Sequence, residues 1–250
     1  MALQVAPASS AGTVEVEELV VELDGRRVDV EEISVDTGGR VHCVRSGAGQ
    51  LAVTYRAVLL PASTGGHDLT APERLVALRQ SRYCPSDALG MFAEAELAGL
   101  LDGPDRSRAI GDWVFERLRY ELGSSGPLDT AVDSLLKGQG VCRDFAHLTI
   151  ALCRAVGIPA RLVAVYAPGL SPMDFHAVAE VAEAGRWHII DSTRLAPRPS
   201  LIRIATGRDA ADTAFATTTE GSAELMASWV TATTDGILPA DDHVATVALA

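Results

Sequence analysis

The sequence predicts a mixed α+β fold with a β-rich amino-terminal region followed by a helical and antiparallel core. Three observations predict it. Apolar and acidic residues alternate with period two between residues 14 and 60, with turn signals between the runs. Helical periodicity replaces that pattern between residues 72 and 122. A helix that is apolar on most sides, residues 141–155, then precedes three further strand-like runs.

Composition limits the classes of function. The chain has 250 residues, 48% of them hydrophobic, and a formal net charge of −12. That length can bury a sizeable core as one large domain or two smaller ones. No apolar run approaches the roughly 20 residues that a membrane-spanning helix needs. The acidic balance argues against nucleic acid or an anionic membrane surface as a partner, because both are bound by clustered Lys and Arg.

The amino terminus and the cysteines favour a cytosolic location. Residues 1–12 are rich in Ala and Ser, lack a basic segment and an apolar segment, and predict a loosely held lead-in rather than a secretory signal. The four cysteines are too few and too scattered for a disulfide framework: Cys43, Cys84, Cys142 and Cys153.

Strands and turns fill the rest of the first region. The strand-like runs are VEVEELVVEL, VDVEEISV, VHCVR and LAVTYRAVLL, and DGRR and TGG form turns between them. Residues 61–67 (PASTGGH) have the composition of a linker. We therefore place a boundary at residue 64, with a β-rich region over 1–64 and a core over 65–250.

Five helices follow in the core. Periodicity predicts helices over 72–80, 87–101 and 105–122, the last with an apolar stripe of Ile110, Trp113, Val114 and Leu118. Asp129 or Thr130 can cap a short helix ending near Gly138. The buried helix after it stops at Gly157.

Strands complete the core. The runs RLVAVYA, FHAVAEVAE and RWHIID predict three of them. Two later segments, 202–215 and 224–235, are expected to add strands to the same sheet.

Cys142 stands at the start of the buried helix, where chemistry is favoured. Helix N-termini carry free N–H groups and partial positive charge, which favour a thiolate and can hold a developing oxyanion. Gly138 and Gly140 allow a tight approach of the chain. Taken alone, a cysteine there is more often a packed core residue.

His176 and Asp191 strengthen the interpretation of Cys142 as a nucleophile. A hairpin with a four-residue loop over 182–185 would pair Val181 with Arg186 and His176 with Asp191. The carboxylate would then orient the imidazole, and the other ring nitrogen would face the thiol.

The segments GQGVCRDFAHL, DFHAVAEV and WHIIDSTR together resemble the transglutaminase-like superfamily, closest to bacterial members with a β-rich amino-terminal region. The segments SRYCPSD, DSTRLAPR and GRDAAD also resemble them. The resemblance implies a papain-like α+β core, with the nucleophile on a central helix and a barrel-like antiparallel sheet. It implies the triad Cys142, His176 and Asp191.

The resemblance also implies acyl transfer through a thioester, without a cofactor or metal. The substrate would be a peptide or protein carboxamide, and water or a primary amine would accept the acyl group. Gln139 and Tyr83 are two candidate donors to the oxyanion. Asp144 would support the site by hydrogen bonds, and Trp187 would pack near it.

Alternatives remain at this point. Cys142, His147, His176 and Asp191 are metal-ligand types, but their spacing is not that of a zinc site. His147 is otherwise expected to be a solvated helix residue. A silent scaffold domain is a second alternative. A disulfide between Cys142 and Cys153 is excluded, since eleven helical residues separate them by roughly 16 Å. Arg194 and Arg198 either hold a substrate carboxylate or pair with acidic groups.

Overall fold

The computed structural model describes residues 1–62, 66–100, 102–103 and 105–250, so the centre of the predicted linker and residue 64, the predicted boundary, lie outside the described residues. Residues 1–62 contain six strands: β1 (Ala2–Leu3), β2 (Gly12–Leu23), β3 (Arg26–Arg27), β4 (Val30–Ser34), β5 (Arg40–Val44) and β6 (Leu51–Pro61). They form parts of two sheets, one in the order β3-β2-β6 and one that contains β1, β5 and β4. A small apolar core lies among Leu3, Val21 and Val44.

The first residues of the chain are held firmly, so the expectation of a loose lead-in is wrong. Leu3, Val5, Ala6, Ala8 and Ala11 are buried. Strand β1 pairs with β5, and the Ala8 amide donates to the carbonyl of residue 203 at 2.9 Å. These partners are distant in sequence, which is why composition does not reveal them.

Six α-helices follow among the described residues: α1 (Ala71–Ala77), α2 (Gly90–Leu97), α3 (Arg106–Arg117), α4 (Ala131–Lys137), α5 (Cys142–Ala155) and α6 (Ala210–Thr213). Thr70 and Thr130 begin α1 and α4 with reciprocal side-chain caps. Gly138 ends α4 in the left-handed region at φ +64°. The predicted helix over 87–101 is a 3-10 turn followed by α2, and its last residue, 101, lies outside the described residues.

Helix α3 ends five residues before the predicted end at Leu122. Leu118 is extended, and β7 (Arg119–Tyr120) pairs in parallel with β8 (Gln139–Gly140). The pairing sets Tyr120 opposite Gly140. A contact between segments 20 residues apart therefore overrides the helical periodicity.

The core sheet has four antiparallel strands: β9 (Ala160–Tyr166), β10 (His176–Glu183), β11 (Arg186–Ile190) and β12 (Ile202–Gly207), in the order β11-β10-β9-β12. It is an open sheet, not the closed form that the word barrel suggests. One face packs on the apolar side of α5, with Leu162, Ala179, Val181 and Ile190 against Leu148 and Leu152 among others. The helix is thereby held across the sheet, with its first turn near one end of β10.

The carboxy-terminal part differs from the strands expected there. Strand β12 joins the core sheet, but β13 (Ala216–Thr217) pairs with β1 in the amino-terminal sheet. Residues 224–235 have no regular secondary structure, so the expected strand is wrong. Leu249 is buried against the second face of the core sheet. Among the described residues, no helix combines the length and apolarity needed to cross a membrane.

Candidate active site

Cys142 is the first residue of α5, and the chain around it is built to start the helix there. Val141 is extended (φ −107°, ψ 179°), and its amide donates to Asp144 Oδ2 at 2.9 Å. A Cβ on Gly140 would lie 2.6 Å from the Cβ of Asp144, so only glycine fits this approach. The thiol is half-buried at the positive end of the helix.

Asp144 lies in the first turn of α5, two residues after Cys142. It is fully buried and forms an ion pair with Arg143 Nη2 at 2.9 Å. Its other oxygen caps the helix through the amide of Val141. Asp144 therefore fixes the backbone that carries the nucleophile.

His176 and Asp191 are in contact, but not through the predicted register. The hairpin pairs Glu183 with Arg186, so its loop has two residues rather than four. Those residues, Ala184 and Gly185, have φ of +50° and +79°, as a type I′ turn requires. The predicted register is therefore wrong by two residues.

The two-residue shift leaves the site intact. Side chains alternate across a strand with period two, so the shift keeps the same faces together. His176 opens β10 and Asp191 follows β11 at the open end of the hairpin. His176 Nε2 lies 2.9 Å from Asp191 Oδ2, and both side chains are about 1% exposed. His176 and Asp191 are therefore diagonal neighbours on adjacent strands and are not directly opposite each other, as the predicted register would have placed them.

The electrostatics of this pair favour a charged imidazole. Burial opposes protonation of His176, but the charge and hydrogen bond of Asp191, with a contribution from Cys142, raise its pKa to about 10. Asp191 is buried too, yet His176 and Thr193 hold the pKa of its carboxyl below the ordinary value. His176 Nδ1 is buried and lacks a well-aligned hydrogen bond within the described residues. That nitrogen is the one left for Cys142.

Tyr120 is a site residue that no local sequence pattern indicates. Its hydroxyl is within hydrogen-bond reach of the Cys142 backbone N–H. Burial, with the nearby charges of Cys142, Asp174 and Asp191, raises its pKa to about 12, so it stays a phenol. Two hydrogen-bond donors thus meet beside the sulfur. The pairing of β7 with β8 brings them together.

The two expected oxyanion donors have other contacts. The Tyr83 ring stacks on His147 with a centroid distance of 5.3 Å. His147 lies five residues into α5, about 7.5 Å along the helix from Cys142. The Gln139 amide oxygen accepts from Arg119 Nη2 at 3.0 Å on an exposed side. A role of either residue at the oxyanion stays a prediction.

Trp187 does not lie near the site, so its expected place there is wrong. It pairs with Ala182 next to the hairpin turn, and the Arg161 guanidinium lies 3.9 Å from its ring centre. Asp191 lies four positions further along the chain, about 13 Å away.

His147 was expected to be solvated, and that expectation is wrong. It is fully buried, and its Nε2 accepts from the Ala210 amide at 3.1 Å. Burial lowers its pKa to about 4, so it is neutral near pH 7.

The two arginines after the Asp191 strand form ion pairs. Arg194 Nη2 lies 2.5 Å from Asp112 Oδ1. Arg198 is buried and pairs with Asp241 at 2.8 Å. Over the described residues, no three His, Cys, Asp or Glu side chains converge as a metal site would need.

A family model and one solved structure agree with this architecture. A family model of the transglutaminase-like superfamily matches residues 92–192. The crystal structure of a candidate cysteine protease from Cytophaga hutchinsonii has a TM-score of 0.80 and 30% identity, over 100% of this chain and 91% of that one. The periplasmic domain of TgpA from Pseudomonas aeruginosa has a TM-score of 0.44 and 21% identity, over 78% of this chain and 76% of that one.

One curated relative is similar over a shorter stretch. Uncharacterized protein ML0607 of Mycobacterium leprae (strain TN) is 31% identical over an alignment of 117 residues, and the match covers 42% of this chain and 41% of the relative. The chain thus spans about two fifths of that relative's length.

Proposed function

The chain belongs to the transglutaminase-like superfamily, and from this premise we propose that it is a cysteine-dependent enzyme acting on a peptide or amide carbonyl through a thioester. One observation carries the proposal. The buried His176 ring has Asp191 2.9 Å from Nε2 and is left with Nδ1 for Cys142. A nucleophile, a base and an orienting acid in this order are the requirements of covalent acyl transfer.

The reaction has two steps. The Cys142 sulfur attacks the carbonyl carbon, and the proton that the thiol gave to His176 passes to the leaving amine as the C–N bond breaks. Water or a primary amine then attacks the thioester, His176 takes its proton, and that proton returns to the departing sulfur. Asp191 keeps the imidazole oriented and stabilises its charged form throughout.

We assign the oxyanion to the Cys142 N–H and the Tyr120 hydroxyl. In the free protein these two groups are within hydrogen-bond reach of each other. A substrate carbonyl oxygen would replace that contact and accept from both. A raised pKa supports this role, because Tyr120 then stays a donor at any working pH.

The acceptor decides between hydrolase and transglutaminase. We propose a peptide or protein substrate, with a primary amine as an alternative acceptor to water. Turnover of a glutamine-containing peptide library, with and without a labelled primary amine, measures the partition by mass spectrometry. Acid product alone defines a hydrolase, and a new amide defines a transferase.

Alkylation tests the proposal against a catalytically silent scaffold domain. Cys142 should react with iodoacetamide at pH 6 far faster than Cys43, which is also half-buried and is the matched control. Burial raises the pKa of Cys84 and Cys153, so they should not react. Equal rates at Cys142 and Cys43 would favour the scaffold. The cytosolic location and the boundary at residue 64 remain proposals from the sequence.

A further inference from the structure

We propose that Thr193 is a positioning residue that aims the Asp191 carboxylate at His176; the inference rests on the proposed function. Asp191 Oδ1 accepts from the Thr193 amide at 2.9 Å and from the Thr193 hydroxyl at 2.7 Å. Its other oxygen is the one 2.9 Å from His176 Nε2. Both oxygens of the carboxylate are therefore engaged, and a rotation of the group would break bonds on both sides.

The proton of the Thr193 hydroxyl has a defined direction. The Leu195 amide donates to Thr193 Oγ1 at 3.4 Å, so that oxygen already acts as an acceptor. Its own proton is left to point at Asp191. Thr193 is buried, so the surrounding protein restricts the motion of this hydroxyl.

The chain after Asp191 holds Thr193 in place. The Arg194 amide donates to the Asp191 carbonyl at 3.3 Å, which closes a tight turn. Arg194 occupies the left-handed region at φ +55°, an uncommon conformation for a residue with a side chain. Its guanidinium is anchored on Asp112 of α3 at 2.5 Å. The turn is thus tied to a helix and not only to its own strand.

A second hydroxyl nearby has a different role. Ser192 Oγ lies 2.8 Å from Thr149 Oγ1 on α5, and Thr149 also donates to the Phe145 carbonyl. This pair joins the turn to the nucleophile's helix but does not touch the carboxylate. Thr149 is therefore a matched control, a buried threonine hydroxyl that stabilises without aiming Asp191.

The test compares Thr193→Val, Thr193→Ala, Thr193→Ser and Thr149→Val in the full chain. The groups that act on His176 are Asp191 and Cys142, with Tyr120 beside Cys142 and the charge of Asp174 acting on Tyr120. Without the Thr193 hydroxyl the Asp191 carboxylate can turn away from His176 Nε2, which weakens its bond to the ring, so the pKa of His176 should fall. The readouts are kcat, KM and the titration of His176 followed by NMR.

We expect Thr193→Val and Thr193→Ala to lower kcat by about 10–100-fold with KM within about twofold, since a small misplacement of the acid mainly affects the chemical step. Thr193→Ser should restore both kcat and the titration. Thr149→Val should lower the melting temperature but leave the His176 titration unchanged.

A wild-type kcat and His176 titration in Thr193→Val would overturn the inference. If Thr193→Val does not fold, Thr193→Ala and Thr193→Ser decide. Both lack the γ-methyl group of threonine, and they differ from each other only in the hydroxyl. Equal His176 titrations in these two variants would overturn the inference. The titration needs no substrate. A failure of the proposed function, seen as turnover retained by Cys142→Ala, is therefore distinguishable from a failure of this inference.

Discussion

The substitution Asp191→Asn tests the electrostatic core of the site. Asparagine has nearly the shape of aspartate, so His176 keeps a neighbour of the same size but loses the charge. Burial of the His176 ring then acts without opposition from that carboxylate. Because burial lowers a histidine pKa, we expect His176 in the variant to titrate below the ordinary value of 6.5.

The magnitude follows from the raised pKa. A change in the pKa of His176 from 6.5 to about 10 corresponds to about 5 kcal/mol of preference for the imidazolium form. At pH 8 the charged fraction would fall from about 99% to below about 3%. We expect kcat to fall by about 10²–10⁴-fold, with a smaller change in KM, because both the charge and the tautomer are disturbed.

The same pKa predicts how stability depends on pH. A group whose pKa is higher in the folded state stabilises fully below its unfolded pKa, here 6.5, and less as pH rises toward 10. The wild-type free energy of unfolding should therefore decline across that window, on account of His176. In Asp191→Asn that decline should be absent.

The assay is an NMR titration of His176, assigned with His176→Gln, beside a pH profile of kcat/KM. Asp241→Asn is the control, since that carboxylate is also buried but pairs with Arg198 and not with the imidazole. If His176 in Asp191→Asn still titrates near 10, Asp191 is not the source of the raised pKa. An alkaline limb that does not move would refute the reasoning equally.

Three further substitutions test the rest of the site. Cys142→Ala should abolish turnover with a melting temperature close to wild type, because a small residue fits a helix start; residual turnover refutes the nucleophile. Tyr120→Phe should lower kcat by about 10²–10³-fold, as measured in steady state, and an unchanged kcat would remove it from the oxyanion site. Gly140→Ala should reduce the free energy of unfolding by about 1–3 kcal/mol in urea titration, since the new Cβ meets Asp144 at 2.6 Å; a wild-type midpoint would show that the loop adjusts freely.

Elements set by local interactions were predictable. The cap of α4, the stop at Gly138 and the strands β9 to β11 follow from residues close together in the sequence. The positions of Cys142, His176 and Asp191 at element ends were readable for the same reason. The contact between His176 and Asp191 was predicted from an assumed strand register. The contact forms despite a two-residue error in that register, because a shift of two residues keeps each side chain on the same face of the sheet.

What depended on distant partners was not predictable. The first residues were expected to be loose, yet they pair with β5 and β13. Helix α3 was expected to continue to Leu122, but Arg119 and Tyr120 form a strand that pairs with β8. Apolar and polar residues alternate only weakly in the segment 224–235. Its sequence does not reveal whether a neighbouring strand is available for it to pair with. Local propensity is weak compared with such pairing.

The primary structure alone determined the kinds of groups and their places along the chain: a cysteine at a helix start, a histidine and an aspartate at strand ends, glycines where the backbone must turn. Tertiary packing alone decided that the Tyr120 phenol lies against the Cys142 amide and that the Thr193 hydroxyl donates to the Asp191 carboxylate. The physical reason is that the first set depends on backbone geometry over a few residues. The second depends on contacts whose partners are brought together only when the sheet, the helices and the two-residue strands pack.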